Sequence, residues 1–216
     1  MHVVIAGGHG KIALLVSRLL TGRGDAVTAL VRDPDHFDDV RAAGADPVLC
    51  DLEAADVATV AGTLTGADAA LFAAGAGPGS GVARKDTVDR AAAVLFASAA
   101  ESAGVSRFVQ ISSGGLDRVT GDEVFDAYLA AKRAAEEDLR TRRLEWTILR
   151  PGRLLDSPGT GSVSVAETPL SGSVPRADVA AAVVALLDHP STTGRTFELI
   201  SGPTPISKAF QPSLTP

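Results

Sequence analysis

Short apolar runs alternate with longer stretches of helical period from the first residues onward. That alternation is the pattern of βαβ units feeding a parallel sheet. Runs such as Val3-Val4-Ile5-Ala6, bounded by Gly, Pro or charged residues, predict strands over residues 2–6, 26–31, 46–50, 69–73, 107–112, 146–149 and 196–200. Between them the apolar spacing predicts helices over 10–21, 35–43, 57–64, 83–103, 122–142 and 176–187, with Pro34 and Pro175 near helix starts, where a missing N–H is tolerated. Seven strands and six helices make an α/β fold, a single-domain Rossmann arrangement with a doubly wound, mostly parallel sheet. Residues 1–202 form this domain. The stretch 154–174, rich in Ser, Gly and Pro, is expected to wrap over the carboxyl edge of the sheet and wall a small substrate pocket. The last stretch, 203–216, holds four prolines and little periodicity, so it is expected to be an extended tail.

Composition narrows the function. The 216 residues suit one domain, and only 4% of them are aromatic, which argues against a stacking platform for nucleic-acid bases. A formal net charge of -6 disfavours a phosphate-backbone binder, so no nucleic-acid partner is expected. Cys50 is the single cysteine, which excludes an intrachain disulfide and a four-thiolate zinc site. The histidines show no ligand spacing, and no metal site is expected. The opening residues lack a charged segment followed by a long apolar one, and no run of about 18 uncharged apolar residues follows, so a cytoplasmic protein without a membrane span is expected.

The chemistry begins at the first strand-to-helix junction. Gly7-Gly8-His9-Gly10-Lys11-Ile12-Ala13 contains G-x-G-x-x-A at Gly8, Gly10 and Ala13. Glycines there permit the tight turn and close approach of a pyrophosphate, the small Ala13 lets helix pack on strand, and the helix N-terminus offers free N–H donors. His9 and Lys11 sit in the same loop and are either cofactor contacts or solvated side chains. Arg32 follows the second strand, where an NAD-specific domain places an acidic residue on the ribose 2′-hydroxyl. A cation at that point favours the 2′-phosphate, so NADP(H) is expected over NAD(H), with Asp33 the competing acidic candidate. Asp51 and Leu52 follow the third strand, where a carboxylate can accept from the adenine amino group and an apolar side chain can cover the ring. Ala73, Ala74 and Gly75 end the fourth strand with side chains small enough for a cofactor to lie against the backbone.

With these pieces in order, the chain resembles the atypical short-chain dehydrogenase/reductase superfamily, in particular its NmrA-like and biliverdin/flavin-reductase-like group. The resemblance spans about residues 1–202. It rests on the glycine loop, V-R-D-P at 31–34, D-L at 51–52, I-S-S-G-G at 111–115, Y-L-A-A-K at 128–132, T-I-L-R-P-G at 147–152 and V-P-R-A-D-V-A at 174–180. It implies that Tyr128 is the acid/base, that Lys132 also bonds the nicotinamide ribose, and that Ser113 binds the substrate carbonyl. Ser112 is expected among the cofactor contacts, and Pro151, which fixes the chain direction after the sixth strand, is expected to line the nicotinamide pocket. Independently of the resemblance, Tyr128 and Lys132 stand four residues apart on one helix face, and an ammonium beside a phenol favours its phenolate. The separation of Ser113 from Tyr128 is longer than in ordinary short-chain enzymes. Arg150 and Gly152 are further candidates for the nicotinamide pocket. Arg176 and Asp178 read as opening and capping the helix that follows.

The leading expectation is an NADPH-dependent reductase that passes hydride to a small carbonyl, quinone, flavin or other conjugated acceptor. A non-catalytic NADP(H)-binding redox sensor is the alternative. A nucleotide-sugar epimerase ranks last because the substrate region is short. The long helices over 83–103 and 122–142 either pair across a homodimer or simply cover the sheet.

Overall fold

The computed structural model describes residues 1–77 and 79–211. The chain begins β1 (His2–Ala6), α1 (Lys11–Gly22), β2 (Ala26–Val31), a 3₁₀ turn (Pro34–His36), α2 (Phe37–Ala42), β3 (Asp46–Leu49), α3 (Val57–Leu64) and β4 (Ala69–Phe72). A long composite helix follows, built as α4 (Val82–Arg84), a π-helical segment (Lys85–Ala91) and α5 (Ala92–Ala103). Then come β5 (Arg107–Ile111), α6 (Glu123–Arg140), β6 (Glu145–Pro151), β7 (Arg153–Leu155), β8 (Ser162–Ala166), β9 (Ser173–Pro175), α7 (Arg176–Asp188), β10 (Arg195–Ser201), β11 (Thr204–Pro205) and α8 (Ile206–Ala209).

The main sheet runs β11-β8-β10-β6-β5-β4-β1-β2-β3. From β3 to β10 every pairing is parallel, and only β8 and β11 run against their neighbours. This is the doubly wound Rossmann sheet. Its strand order reverses between β1 and β4, and the crevice outside the carboxyl ends of those strands is where such sheets bind ligands.

Strands covered on both faces need apolar residues at every position. In β1, Val3 and Ile5 pack on the layer of α1 and α7, while Val4 and Ala6 pack on the layer of α3, α5 and α6. Helix α1 buries Ala13, Val16, Ser17 and Leu20, one stripe at helical spacing. On the opposite face, Phe72, Phe96 and Phe108 form a tilted chain of rings with centroids 6.2 and 5.8 Å apart. The alanines of α5 bring α3 close beside it.

Arg107 ties the edge of the sheet remote from the crevice. It is buried, and its guanidinium donates to the carbonyls of Glu145 and Leu186 and to the hydroxyls of Thr147 and Thr192.

Two regions depart from the sequence expectation. Within 154–174, β8 joins the main sheet through β10, and β7 pairs with β9 in a separate two-stranded ribbon. Short strands there carry half-buried alternation too brief to stand out among Ser and Gly. After Ser201 the chain is not an extended tail, because β11 pairs with β8, α8 follows, and Phe210 packs edge-on against Phe197 at 5.5 Å. Residues 212–216 of the expected tail lie outside the described residues. No helix among the described residues is long and apolar enough to cross a membrane.

Candidate cofactor and active site

The glycine loop divides its work differently from a simple count of glycines. Gly7 takes a left-handed φ of +77°, and a Cβ on it would lie 2.5 Å from Ala74 Cα, so it is the turn residue. Gly8 is a packing residue instead: a Cβ there would meet Ala29 of β2 at 2.5 Å. Gly10 is the N-cap of α1 and offers no side-chain cap, and the first turn carries no acidic residue. The N–H groups of Lys11, Ile12 and Ala13 therefore lack an internal acceptor among the described residues, at the positive end of a 12-residue helix. That donor set fits a pyrophosphate.

The neighbouring side chains are turned elsewhere. His9 hydrogen-bonds Asp39 at 2.8 Å and stacks on His36 with centroids 3.6 Å apart. Lys11 reaches Asp156 at 2.9 Å, which brings the segment before β8 over the head of α1, and Ile12 packs into the core.

At the carboxyl ends of β2 and β3, Arg32 is 55% exposed, and its one ion contact among the described residues is Glu53 at 3.5 Å. Asp33 is engaged within its own turn. Its carboxylate caps the 3₁₀ turn by accepting from Asp35 N. Asp51 likewise braces its own turn by accepting from Glu53 N, and Leu52 packs half-buried against the core. Two residues absent from the sequence expectation complete this corner. Arg84 of α4 contacts Glu53 Oε2 at 2.7 Å, and the Thr87 hydroxyl donates to Glu53 Oε1 at 2.5 Å. The Thr87 hydrogen bond, and after it the Arg84 guanidinium, holds the Glu53 carboxyl below the usual carboxylate range against the opposing effect of burial.

At the end of β4 the composite helix meets α6. Lys132 is buried; its ammonium donates to the Ala74 carbonyl at 3.3 Å and lies 3.2 Å from Asp89 Oδ1. Asp89 is fully buried on the π-helical segment, and its other oxygen accepts from Ala76 N. Oδ1 also stands 3.2 Å from where a Cβ on Gly75 would be. Lys85, one turn earlier, is buried and donates to the Gly77 carbonyl at 3.0 Å. Both ammoniums face the half-buried Tyr128 ring, Lys85 at 5.6 Å and Lys132 at 5.9 Å from its centroid, and Phe125 stacks on that ring at 5.8 Å. The structure thus brings Tyr128, Lys132, Ala73, Ala74 and Gly75 together. It adds Lys85 and Asp89, which the sequence expectation missed. Their signal was present: two charged residues four apart on the same helical stripe as Val88, Ala92, Ala93 and Phe96 belong to the core face, where a charge needs a reason.

Ser112 and Ser113 close β5. Ser112 is buried, and among the described residues neither its hydroxyl nor the Gln110 amide oxygen one pleat earlier on the same strand has a partner. Ser113 is partly exposed, and its hydroxyl contacts the Gly114 carbonyl at 3.3 Å. Buried orphan polar atoms at the carboxyl edge fit a ligand with donors and acceptors of its own.

Pro151 ends β6, buried, with its carbonyl accepting from Gly114 N. Arg150 does not face the pocket. It forms a two-pronged pair with the fully buried Glu136 at 2.6 and 2.8 Å and reaches Glu198 of β10 at 3.4 Å. Gly152 is packed as well, since a Cβ there would lie 2.5 Å from the Gly172 carbonyl oxygen. Asp178 caps no helix of its own; both its oxygens hold the turn at Thr160 and Gly161, while Arg176 pairs with Asp156. Among the described residues no cluster of His, Cys, Asp or Glu is arranged to hold a metal ion.

The profile of the NAD(P)H-binding family matches residues 7–190. The uncharacterized sugar epimerase YhfK of Bacillus subtilis is 36% identical over 213 residues, covering 98% of this chain and 99% of its own. A solved structure from Bacillus halodurans carrying a provisional NAD-dependent epimerase/dehydratase label is 34% identical, with a TM-score of 0.89 over 96% of this chain and 97% of that one. The anaerobilin reductase ChuY of Escherichia coli O157:H7 is 25% identical with a TM-score of 0.78, each chain covered in full at 100%. The crevice, the uncapped helix head behind Gly10 and the Tyr128–Lys132 face therefore belong to a member of the NAD(P)H-binding family.

Proposed function

We propose that this protein is an NADPH-dependent reductase of a small conjugated or carbonyl acceptor, with Tyr128 as proton donor. The observation that carries the reading is the Tyr128 ring with two buried ammoniums 5.6 and 5.9 Å from its centroid, one of them bonded to the Ala74 carbonyl at the end of β4. Bound NADPH would supply a hydride from its nicotinamide ring. The chain supplies the rest. Tyr128 Oη gives its proton to the acceptor atom on which negative charge develops, and Lys85 and Lys132 stabilise the phenolate left behind. The hydroxyls of Ser112 and Ser113 are the available donors at the end of β5. Phe125, exposed and stacked on the Tyr128 ring, offers apolar surface beside it suited to a flat acceptor. Arg32, exposed and loosely held, supports NADP(H) over NAD(H).

An epimerase is the second reading, favoured by the name of the Bacillus subtilis relative. The two readings differ in stoichiometry, because an epimerase returns its hydride and consumes no net cofactor. NADPH carrying deuterium at the transferable position should be incubated with quinones, flavins, biliverdin and simple carbonyls, and the oxidised cofactor with nucleotide sugars. A reductase oxidises NADPH one-for-one with the acceptor reduced, and leaves deuterium in the product wherever the hydride lands on carbon. Epimerised sugar with no net change in the cofactor would replace it with the second reading, and tight NADPH binding without any turnover would leave a redox sensor.

A further inference from the structure

The corner formed by Arg32, Arg84, Thr87 and Glu53 has the form of an anion receptor already filled by a side chain. Two guanidiniums from different elements converge on one carboxylate oxygen, at 3.5 and 2.7 Å, and a hydroxyl donates to the other oxygen at 2.5 Å. Among the described residues neither arginine has another ion partner. Each guanidinium makes one hydrogen bond among the described residues, and a guanidinium fork matches phosphate as well as carboxylate. Glu53 is fixed at its base by the Asp51 bond to its backbone N–H, so its carboxylate can leave the cluster by rotation alone. The corner sits at the carboxyl ends of β2 and β3, the side of a Rossmann crevice that takes the adenosine.

We infer that Arg84 and Thr87 join Arg32 in a receptor for the cofactor's 2′-phosphate, and that Glu53 is a built-in competitor which the phosphate must displace. The inference rests on the NADP(H) reading above. It gives Glu53 a definite role in specificity. When NADP(H) binds, the carboxylate must give up two arginines and a hydroxyl; when NAD(H) binds, it keeps them. Glu53 thus lowers the preference that the two arginines create. Removing its charge should widen that preference, and removing Arg84 should narrow it.

Titration calorimetry with NADP⁺ and NAD⁺ on wild type, Arg32→Met, Arg84→Met and Glu53→Gln tests this without any acceptor substrate. All three side chains are partly exposed, at 55, 35 and 27%, so the variants should fold, which circular dichroism checks. Loss of one charge-assisted contact should weaken NADP⁺ by about 10- to 100-fold in Arg84→Met and leave NAD⁺ nearly unchanged. Glu53→Gln should tighten NADP⁺ by roughly 10-fold relative to NAD⁺. If Arg32→Met collapses the preference while Arg84→Met and Glu53→Gln leave it intact, the inference is overturned and the NADP(H) reading stands. If Arg32→Met also leaves it intact, the phosphate is held elsewhere and the inference falls, while wild type binding NADP⁺ no more tightly than NAD⁺ would bring down the NADP(H) reading itself. Weaker NAD⁺ binding in Glu53→Gln would make Glu53 a ribose ligand and overturn the inference in a different way.

Discussion

Lys132 owes its placement to Asp89 more than to Tyr128. An ammonium and a carboxylate, both buried, lie 3.2 Å apart beneath the β4 edge, and each is the other's charged partner there. Lys132→Met should therefore destabilise the protein by about 3–5 kcal/mol, because it strands the Asp89 carboxylate. Adding Asp89→Asn to that variant should recover part of the loss, since a neutral amide can still accept from Ala76 N. Urea unfolding of both single variants and the double variant reads the coupling; losses that simply add would show that the two groups do not depend on each other. Sequence made the Lys132 half of this pair legible through its spacing from Tyr128. Asp89 was legible only as a charge on the core stripe of its own helix, and its pairing with Lys132 was not, because the two lie on different helices far apart in the chain. The glycine loop was legible as a unit, but the tasks of Gly7 and Gly8 depend on Ala74 and Ala29, contacts that only the fold supplies.

Between elements, the least expected link is the Glu136–Arg150–Glu198 chain, which binds α6, β6 and β10 in one row. Burial pushes the Glu198 carboxyl above the ordinary range, and Arg150 only partly opposes it. A carboxyl whose folded pKa is raised binds more protons folded than unfolded, so stability falls as pH rises from its unfolded value of ~4.3 to its folded value, then stays lower. Glu198→Gln removes that fall. Its unfolding free energy should exceed the wild-type value at neutral pH, and the gap should close toward pH ~4. A variant less stable than wild type at neutral pH would mean that the Arg150 contact outweighs burial. The strands of this region were legible as apolar runs, but the network was not, because Arg150 in T-I-L-R-P-G reads equally well as pocket lining. Only the pairing of β10 beside β6 sets Glu198 opposite Arg150. Similarly, β8 and β11 could not be foreseen, since each gains its hydrogen bonds from a partner distant in sequence and carries little pattern of its own.

For the molecule as a whole, the βα alternation and the G-x-G-x-x-A junction made the Rossmann sheet and its cofactor crevice legible in the amino-acid sequence. Hydrophobic period and glycine placement are local properties, and both survive into the fold unchanged. The acceptor is another matter, since the mouth is shaped by the 114–125 loop and the strands after β6, whose packing is tertiary. The central claim is that Tyr128 supplies the proton in an NADPH-dependent reduction. Tyr128→Phe keeps the ring that stacks on Phe125 and faces both lysines, and removes only the hydroxyl. The most direct measurement is kcat and NADPH affinity for wild type and Tyr128→Phe, using the best acceptor from the isotope screen. Loss of a positioned acid should lower kcat by ~100- to 10,000-fold while NADPH affinity is unchanged. Undiminished turnover in Tyr128→Phe would contradict the account.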